Sequence, residues 1–437
     1  MENTAQDINP LERRLDISVP LDALNAAIDE RLRRMSRSVK ISGFRPGKAP
    51  LSIMRQQYGA KAYGDALEEA VKTAFGKIVT ERQLNVAGYP RIEPKPDQEA
   101  NDKTLEFSAV FEVFPEFVPG DLSSARIERP VLEVTDVEVD KTIAILRRQR
   151  VRYTPTERGA ARDDRVVIDF CGRRNGEPFE GGSAEDFHFV LDGKVMLPDF
   201  EAAVEGMKAG ESKTFDLVFP QDYPAQHMAG ETASFELTVK EVMAPTLPEV
   251  DAEFARTLGV KDGDIAKMRA EVEGNLRREV KKRIESRLKE QALEALLDAN
   301  PIPLPQTLID VEIRKMMENA RHNLETRGVD NKQFQVRTEW FAERARRRVA
   351  LSLVFDEVIK IGDLRARPEQ VRALIEEAAE TYETPQEMVK SMYANARALA
   401  DMESAATESN VIAWTLERAQ VTEKPVAFEE LMGVSPA

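Results

Sequence analysis

The spacing of apolar residues changes along this chain, and these changes restrict its fold more than any other feature. Between residues 154 and 242, apolar and polar residues alternate, as at Phe235, Leu237 and Val239, which is the period of a β-strand. From Pro245 onward, apolar residues recur every three or four positions, which is the period of a helix. A chain of 437 residues is also too long for a single core. The sequence therefore predicts a multidomain α+β protein whose last part is helical.

The residues up to position 114 show both periods and predict a small α+β domain. Strands are predicted over residues 15–19, ending at Pro20, and over residues 105–113; helices are predicted over residues 21–32, 50–58 and 62–82. The last two helices are expected to be separate, with breaks near Gly59 and Gly64, because glycine is a poor helix former.

A twisted antiparallel sheet around one short helix is predicted for the middle of the chain. A helix near residues 137–149 precedes the sheet, and the short helix covers residues 199–207. Beyond the sheet, about one apolar residue per turn from Ile265 to Leu288 forms a narrow stripe, so this helix is expected to project as an arm. The pattern then predicts a proline-rich break at residues 300–305 and helices over 308–324, over 340–361 and from Pro385, with Thr384 as N-cap.

The composition excludes several classes of protein and of catalytic site. A formal net charge of −15 argues against a general nucleic-acid coat. The single cysteine, Cys171, allows no internal disulfide and is expected to be a small buried residue. Three scattered histidines lack metal-ligand spacing, and nucleotide-binding and nucleophile motifs are missing, so no cofactor or metal is predicted. A polar N-terminus and no membrane-length apolar run predict a cytoplasmic protein without a membrane contact.

One window of this acidic chain is strongly basic. Between Arg31 and Lys61 there are nine lysines and arginines and no acidic residue. At its centre lies the loop Gly43-Phe44-Arg45-Pro46-Gly47-Lys48-Ala49-Pro50, in which two prolines and two glycines rule out a helix. Clustered charges act over about 8 Å at physiological salt, so the window predicts a local anionic partner. The simpler alternative is a solvated connection between two helices.

The loop resembles the ribosome-docking signature of the trigger factor family, bacterial chaperones that meet nascent chains at the tunnel exit. The resemblance implies that the loop binds the ribosome through Gly43, Phe44, Arg45, Pro46, Gly47 and Lys48. Pro50 completes the matching pattern.

An aromatic set in the middle of the chain by itself favours an ordinary hydrophobic core. Its arrangement, however, is similar to FKBP-type peptidyl-prolyl isomerases in the stretches 168–172, 176–182, 195–201 and 219–223. The resemblance implies a proline pocket lined by Phe170, Phe179, Met196, Leu197, Phe200, Phe219, Tyr223 and Phe235. One position departs from the family pattern, because Asp199 stands where glycine is common before the pocket aromatic, and turn geometry and catalytic efficiency are expected to depend on it.

Taken together, the resemblances imply an ATP-independent, ribosome-associated chaperone with prolyl isomerase activity. The implied domains are residues 1–114 for ribosome binding, 115–150 as a linker that packs with the C-terminal domain, 151–244 as the isomerase and 245–437 as a helical chaperone domain with projecting arms. The implied partners are the large ribosomal subunit near the tunnel exit and nascent or unfolded polypeptides, held on apolar patches that include Met316, Met317, Met388 and Met392. Formation of a homodimer away from the ribosome is left open.

Two alternatives remain at this point. In the first, the chain is a stand-alone prolyl isomerase with extra helices, and the basic loop is incidental. In the second, it is an RNA-binding or ribosome-assembly factor, and the aromatic set is only core.

Overall fold

The structure is a computed structural model that describes residues 9–39, 44, 48–95, 103–193, 195–223, 225, 228–328, 336–380, 382 and 384–433, apart from the side chain of Glu180. It contains mixed sheet and helix and divides into two compact units. The first consists of Met1–Arg129 and Ser286–Lys424, and the second of Pro130–Glu285 and Pro425–Ala437.

The strands and helices alternate in the first half of the chain, and helices dominate the second. The strands are β1 (Glu12–Pro20), β2 (Val86–Pro94), β3 (Thr104–Val113), β4 (Arg126–Val131), β5 (Arg152–Pro155), β6 (Arg165–Arg174), β7 (Glu177–Val190), β8 (Ser212–Val218), β9 (Thr232–Thr246) and β10 (Gln420–Pro425). The helices are α1 (Leu21–Ser38), α2 (Leu51–Glu81), α3 (Asp136–Gln149), α4 (Pro198–Val204), α5 (Ala252–Thr257), α6 (Ile265–Ala299), α7 (Gln306–Thr326), α8 (Glu339–Gly362), α9 (Pro368–Ala379), α10 (Pro385–Ala394), α11 (Ala396–Arg418) and α12 (Phe428–Met432).

The N-terminal part of the first unit is a three-stranded antiparallel sheet covered by α1 and α2. The strand order is β1-β3-β2, with Ile17 opposite Phe107. Helix α1 buries Leu24, Ile28 and Leu32, which repeat at the four-residue spacing of one helix face. The α+β order, β1 and β3 are confirmed.

The predicted breaks within α2 are wrong, because one helix runs through both Gly59 and Gly64. A glycine costs about 1 kcal/mol relative to alanine in a helix, which tertiary packing overrides. On both sides of these glycines, Met54 and Ala62 to Val71 contribute buried side chains to one hydrophobic core.

Strand β2 was missed because its sequence lacks alternation and contains two prolines. It lies at the edge of the sheet, where a missing backbone donor is tolerated. A bulge between Ala87 and Arg91 interrupts its pairing with β3. Within it Gly88 has a φ of +82°, and a Cβ there would lie 2.3 Å from Thr307 Cγ2. The bulge therefore fits closely against the start of α7.

The helical part of the first unit packs in three clusters. The first cluster joins α7 and α8 and contains Ile309, Ile313, Ala345, Val349 and Leu353. The second joins the 115–125 segment, α6, α8 and α11 and contains Leu122, Leu296, Val354, Val358 and Val411. The third joins α9 and α11 and contains Val371, Ile375 and Ala406. Thr384 does precede α10, but its side chain makes no capping hydrogen bond, contrary to its predicted role.

A buried carboxylate ties the N-terminal sheet to the helical part of the same unit. Glu112 on β3 accepts hydrogen bonds from the backbone N–H groups of Gln306 (3.0 Å) and Thr307 (2.7 Å) and from the Thr307 hydroxyl (2.7 Å). The residue before α7 is Pro305, whose side chain cannot cap, so Glu112 supplies the cap from a distant strand. Burial opposes the charged form, but the hydrogen bonds outweigh it and lower the pKa of Glu112.

The second unit contains a five-stranded antiparallel sheet. Four strands follow the order β5-β9-β6-β7, and β8 also pairs with β9. The sheet packs around α4, as predicted, with Phe200 and Val204 of the helix buried. Cys171 on β6 is only partly buried, contrary to expectation.

The apolar stripe of α6 faces core rather than solvent over the part that lies in the second unit. Met268 and Val272 pack with α3 and α5, and Leu276 and Val280 pack with α12. The first stripe residue, Ile265, is exposed. The expectation of a projecting arm concerns overall shape and stays a prediction. No helix within the described part of the chain is long and apolar enough to span a membrane.

Glu112→Ala is expected to lower the free energy of unfolding by about 1–3 kcal/mol, because it leaves buried N–H groups of α7 without an acceptor. The folded-state pKa of Glu112 is lowered, so its stabilisation is present above the unfolded pKa and is lost as pH falls through the folded pKa. Urea unfolding at pH 7 and at pH 4 measures both effects. A control, Glu106→Ala, changes a half-exposed glutamate on the same strand that lies near Lys95 and makes no contact with α7 in the described hydrogen bonds and ion pairs. An equal difference between wild type and Glu112→Gln at both pH values would contradict the role of the charge.

Candidate functional site

The second unit contains a cavity of about 610 Å³, and half of the residues that line it are aromatic. All eight residues predicted for the proline pocket line it: Phe170, Phe179, Met196, Leu197, Phe200, Phe219, Tyr223 and Phe235. They come from β6, β7, α4, β9 and the segments before α4 and after β8. The sheet and the short helix thus bring residues up to 65 positions apart in sequence into one concave site.

Phe200 forms the floor of the cavity and is 2% exposed. Its ring centroid lies 5.4 Å from Phe170, 5.4 Å from Phe215 and 5.5 Å from Phe235, and all three pairs meet edge to face. Edge-to-face pairs at this range are favourable beyond the area that they bury. The floor is therefore held from three sides.

Asp199 does not disturb this floor. It lies in the first turn of α4, between Pro198 and Phe200, where a carboxylate interacts favourably with the helix dipole. Its φ is not positive, so the position has no need of glycine. The expectation that Asp199 affects the turn geometry is therefore wrong. Its effect on catalytic efficiency stays a prediction.

Two glycines make room for the ring of Phe179. A Cβ on Gly182 would lie 2.7 Å from that ring. A Cβ on Gly172 would lie 2.9 Å from the same ring and 2.6 Å from Phe235. Phe179 also meets Phe219 and Phe235 edge to face, at 6.2 and 6.1 Å. The absence of a side chain at Gly172 and Gly182 therefore lets the rings of Phe179, Phe219 and Phe235 pack together against the sheet.

The described lining carries no carboxylate, imidazole or amine. Tyr223 alone among these lining residues has a hydroxyl, and its ring lies 4.8 Å from that of Phe219. The described residues also contain no group of three or more His, Cys, Asp or Glu that could hold a metal ion. The site can therefore bind an apolar group in a defined shape but has no general acid–base pair.

The prediction missed six lining residues. They are Gly181, Phe187, Val195, Leu217, Ala225 and Met228. Phe187 and Leu217 belong to alternating patterns that identified strands, but alternation alone does not separate the end of a strand that lines a pocket from the part that lies in the core.

Only part of the motif that is predicted to bind the ribosome lies within the described residues. Phe44 is 38% exposed and Lys48 is exposed, whereas Gly43, Arg45, Pro46 and Gly47 lie outside the described residues. The exposure of Phe44 and of Lys48 fits a contact surface.

The basic window is less positive in the fold than in the sequence. Arg31 pairs with Glu69 at 3.0 Å and Arg34 with Glu30 at 3.1 Å. Arg55 pairs with Asp29. Arg33, Arg37, Lys48 and Lys61 make no ion pair within the described part of the chain. The acidic partners come from just outside the window, on α1 and α2.

The helical part of the first unit exposes several large apolar side chains. The four predicted methionines are partly buried: Met316, Met317, Met388 and Met392. More exposed are Val311, Trp340, Ile361, Tyr382 and Tyr393. Val311, Trp340 and Ile361 belong to helices that the apolar pattern predicted, but the pattern did not show that their side chains are exposed.

Comparisons with known proteins cover all parts of the chain. A family profile described as bacterial trigger factor protein (TF) matches residues 1–146, and one described as its C-terminus matches residues 264–417. Between them, residues 156–240 match the FKBP-type peptidyl-prolyl cis-trans isomerase family. The trigger factor of Dechloromonas aromatica (strain RCB) is 54% identical over 433 residues, which cover 99% of each chain. The chain belongs to the trigger factor family.

A second trigger factor, from Aromatoleum aromaticum, is 52% identical over 433 residues, again 99% of each chain. A solved structure from work on promiscuous substrate recognition in folding and assembly by the trigger factor chaperone covers 95% of this chain and 99% of its own, at 18% identity and a TM-score of 0.46. The match of residues 156–240 gives this member of the trigger factor family an FKBP-type peptidyl-prolyl isomerase domain.

Proposed function

We propose that the aromatic cavity of this trigger factor family member binds proline side chains and catalyses cis/trans isomerisation of X–Pro bonds. The observation that carries the proposal is the convergence of Phe170, Phe179, Phe200, Phe219, Tyr223 and Phe235 on one cavity. Its volume suits a proline ring with its neighbouring residues.

Isomerisation requires no acid–base group. Rotation about an X–Pro bond is slow because the C–N bond has partial double-bond character, and the barrier is about 18–20 kcal/mol. The planar amide is more dipolar than the twisted state, in which conjugation is broken. An apolar cavity therefore disfavours the planar form relative to the twisted one, which is differential binding of the transition state.

Each wall of the cavity has a separate part in this mechanism. Phe200 is the fixed floor against which the proline ring packs, because three neighbouring rings prevent it from moving aside. Met196 and Leu197, which precede α4 in the sequence, line the cavity with one flexible and one branched side chain. Tyr223 contributes the hydroxyl that is available to a backbone group of the peptide.

We further propose that the chain docks on the large ribosomal subunit near the tunnel exit through residues 43–48. The exposed Phe44 and those exposed basic side chains of this window that have no ion pair among the described residues support this proposal, because arginine and lysine bind phosphate in a salt-dependent manner. Arg33 and Arg37 stand one turn apart on α1, and both are exposed.

The third proposal concerns nascent and unfolded polypeptides, which the helical part of the first unit would hold. Its support is the exposed set that includes Trp340, Ile361 and Tyr393. Apolar burial stabilises such contacts by about 25 cal/mol per Å², so several weak patches can retain a client and release it without ATP. The domain boundaries at residues 114, 150 and 244 and the cytoplasmic location stay predictions. The two alternatives without a chaperone role are not retained, because the family match extends over 99% of the chain.

Tyr223→Ala is expected to lower kcat/KM for an X–Pro peptide strongly, because it opens one wall of the cavity. Phe200→Ala is expected to have a similar effect but also to destabilise the fold by roughly 3–5 kcal/mol, since its ring is buried. The measurement is the isomerisation rate with circular dichroism as a check on folding. Tyr153→Ala is the matched control, because that ring stacks on Arg165 and does not line the cavity. Full activity of folded Tyr223→Ala would refute the pocket.

Phe44→Ala with Arg45→Ala is expected to abolish salt-sensitive co-sedimentation with ribosomes. Exposed substitutions typically change stability by no more than about 0.5 kcal/mol, so the fold is expected to stay intact. The control is Tyr89→Ala with Arg91→Ala, an aromatic and an arginine exposed on the edge of the N-terminal sheet. The docking proposal fails if the loop variant pellets with ribosomes like wild type.

A variant that lacks residues 154–242 is expected to keep suppressing aggregation of a denatured client. Thr154 pairs with Ala244 across β5 and β9, so the two cut ends are neighbours and a short glycine-serine bridge can join them. Light scattering after dilution of the client measures protection, and circular dichroism checks folding. The matched variant carries Trp340→Ser and Tyr393→Ser in the full chain. Loss of protection in the deletion, with full protection in the matched variant, would assign the holding surface to the isomerase part.

A further inference from the structure

Three charged side chains form a cluster on the sheet of the second unit, outside the aromatic cavity. They are Asp169 on β6, Asp186 on β7 and Lys240 on β9. The Lys240 amine donates a hydrogen bond to Asp186 Oδ1 and lies 3.5 Å from Asp169 Oδ2. Asp169 Oδ1 in turn accepts a hydrogen bond from the backbone N–H of Asp186 at 2.7 Å. The cluster therefore connects three neighbouring strands.

The cluster coincides with two irregularities in the sheet. Between β6 and β9, Val167 pairs with Glu241 and Ile168 with Val239, so Lys240 is an extra residue. Between β6 and β7, Ile168 pairs with Phe187 but Phe170 pairs with Ala184, so β7 also carries an extra residue. The two bulges thus flank β6 on either side at Ile168 and Asp169.

The bulge in β7 needs a side chain to stabilise it. Asp186 has a φ of +51°, a left-handed conformation that is uncommon for a residue other than glycine. A bulge leaves a residue unpaired in the ladder, and an unpaired backbone N–H is unfavourable. The Asp169 carboxylate accepts that N–H, and Lys240 holds the Asp186 side chain.

Each of the two aspartates immediately precedes a ring of the cavity. Phe170 follows Asp169 and Phe187 follows Asp186 in the sequence. Asp169 stands between Ile168 and Phe170 on β6, so its side chain points to the face opposite theirs, and Lys240 lies close to both aspartates. The rings of Phe170 and Phe187 meet edge to face at 5.8 Å, and both line the cavity. Fixing the bulges from the outer face therefore fixes one wall of the cavity.

We propose that Asp169, Asp186 and Lys240 are positioning residues of the isomerase, which set the place of Phe170 and Phe187 through the two bulges. This inference rests on the proposed catalytic role of the cavity. Bulges commonly re-aim side chains beside functional sites. A small displacement of a wall reduces binding of the twisted state more than binding of the peptide itself, so the loss falls on kcat rather than on KM.

A purely structural role does not fit the exposure of the cluster. The side chains of Asp169, Asp186 and Lys240 are 37, 66 and 41% exposed. Exposed ion pairs contribute little to stability because solvent and salt screen them. The hydrogen bond with Lys240 lowers the pKa of Asp186, and the same bond raises the pKa of Lys240, so both remain charged at neutral pH. We therefore expect these ion pairs to affect the backbone geometry of the two bulges and not the stability of the whole domain.

The test compares full-length variants by kcat and KM for an X–Pro peptide and by melting temperature. Asp169→Ala removes the acceptor of the Asp186 N–H and is expected to lower kcat by about tenfold or more, with KM little changed. Asp169→Asn keeps an acceptor oxygen at the same place and is expected to recover much of that loss. Lys240→Met keeps the Asp169 contact to the backbone and is expected to fall between the two. Melting temperatures are expected to stay near that of wild type.

Arg162→Met is the matched control. Arg162 pairs with Asp192, which also has a left-handed φ but does not line the cavity. The inference is overturned if Asp169→Ala keeps the wild-type kcat, or if the Asn and Ala variants lose activity equally. If Asp169→Ala fails to fold, Lys240→Met decides: a kcat equal to that of Arg162→Met overturns the proposal. If the cavity is not the catalytic site at all, Tyr223→Ala also keeps full activity. If only the positioning role is wrong, Tyr223→Ala loses activity and Asp169→Ala does not.

Discussion

The pairing of β5 with β9 is the constraint on which the arrangement of the second unit depends. These strands lie at the two ends of the isomerase sequence, with Arg152 opposite Thr246 and Pro155 opposite Met243. The chain therefore leaves and re-enters the helical framework at adjacent positions. Because β5 and β9 are neighbouring strands, the start and the end of this segment lie close together. The sheet can therefore contain a complete cavity without disrupting α3 before it or α5 after it.

Inside that sheet, ring packing takes the place of charged catalytic groups. Phe200 contacts Phe170, Phe215 and Phe235 edge to face, and glycines at 172 and 182 leave the space that Phe179 requires. Such a site is specified by shape, since a close-packed wall transmits any change in its backbone to the rings. The positioning role proposed for Asp169 therefore acts through the bulges and not through the strength of its exposed ion pair.

Much of the fold and of the cavity was predictable because it depends on local periodicity. The strands around Phe187, Leu217 and Leu237 alternate cleanly, and all eight pocket residues stand in stretches that resemble a known family. Two of the misses depend on the position of the element in the fold, which local periodicity does not show. Helix α2 continues through Gly59 because of tertiary packing, and β2 pairs despite its prolines because it occupies an edge.

The same limit applies to electrostatics. Counting charges between Arg31 and Lys61 overestimated the positive field, because Asp29, Glu30 and Glu69 reach into the window from outside it. Asp199 is a related case, since its helical position removes the need for glycine that the family pattern suggested. Neither the ion pairs of the basic window nor the backbone conformation of Asp199 can be predicted before the positions of the helices are known.

The cap that Glu112 supplies to α7 has a consequence for synthesis of the chain. Its partners, Gln306 and Thr307, are 194 and 195 residues further along. A growing chain therefore emerges with this carboxylate and its strand complete while the helix that it caps has yet to be made. Contacts so distant in sequence close late and slow folding. The first unit reaches its final hydrogen bonding only after the whole isomerase sequence has left the site of synthesis, so this unit closes late.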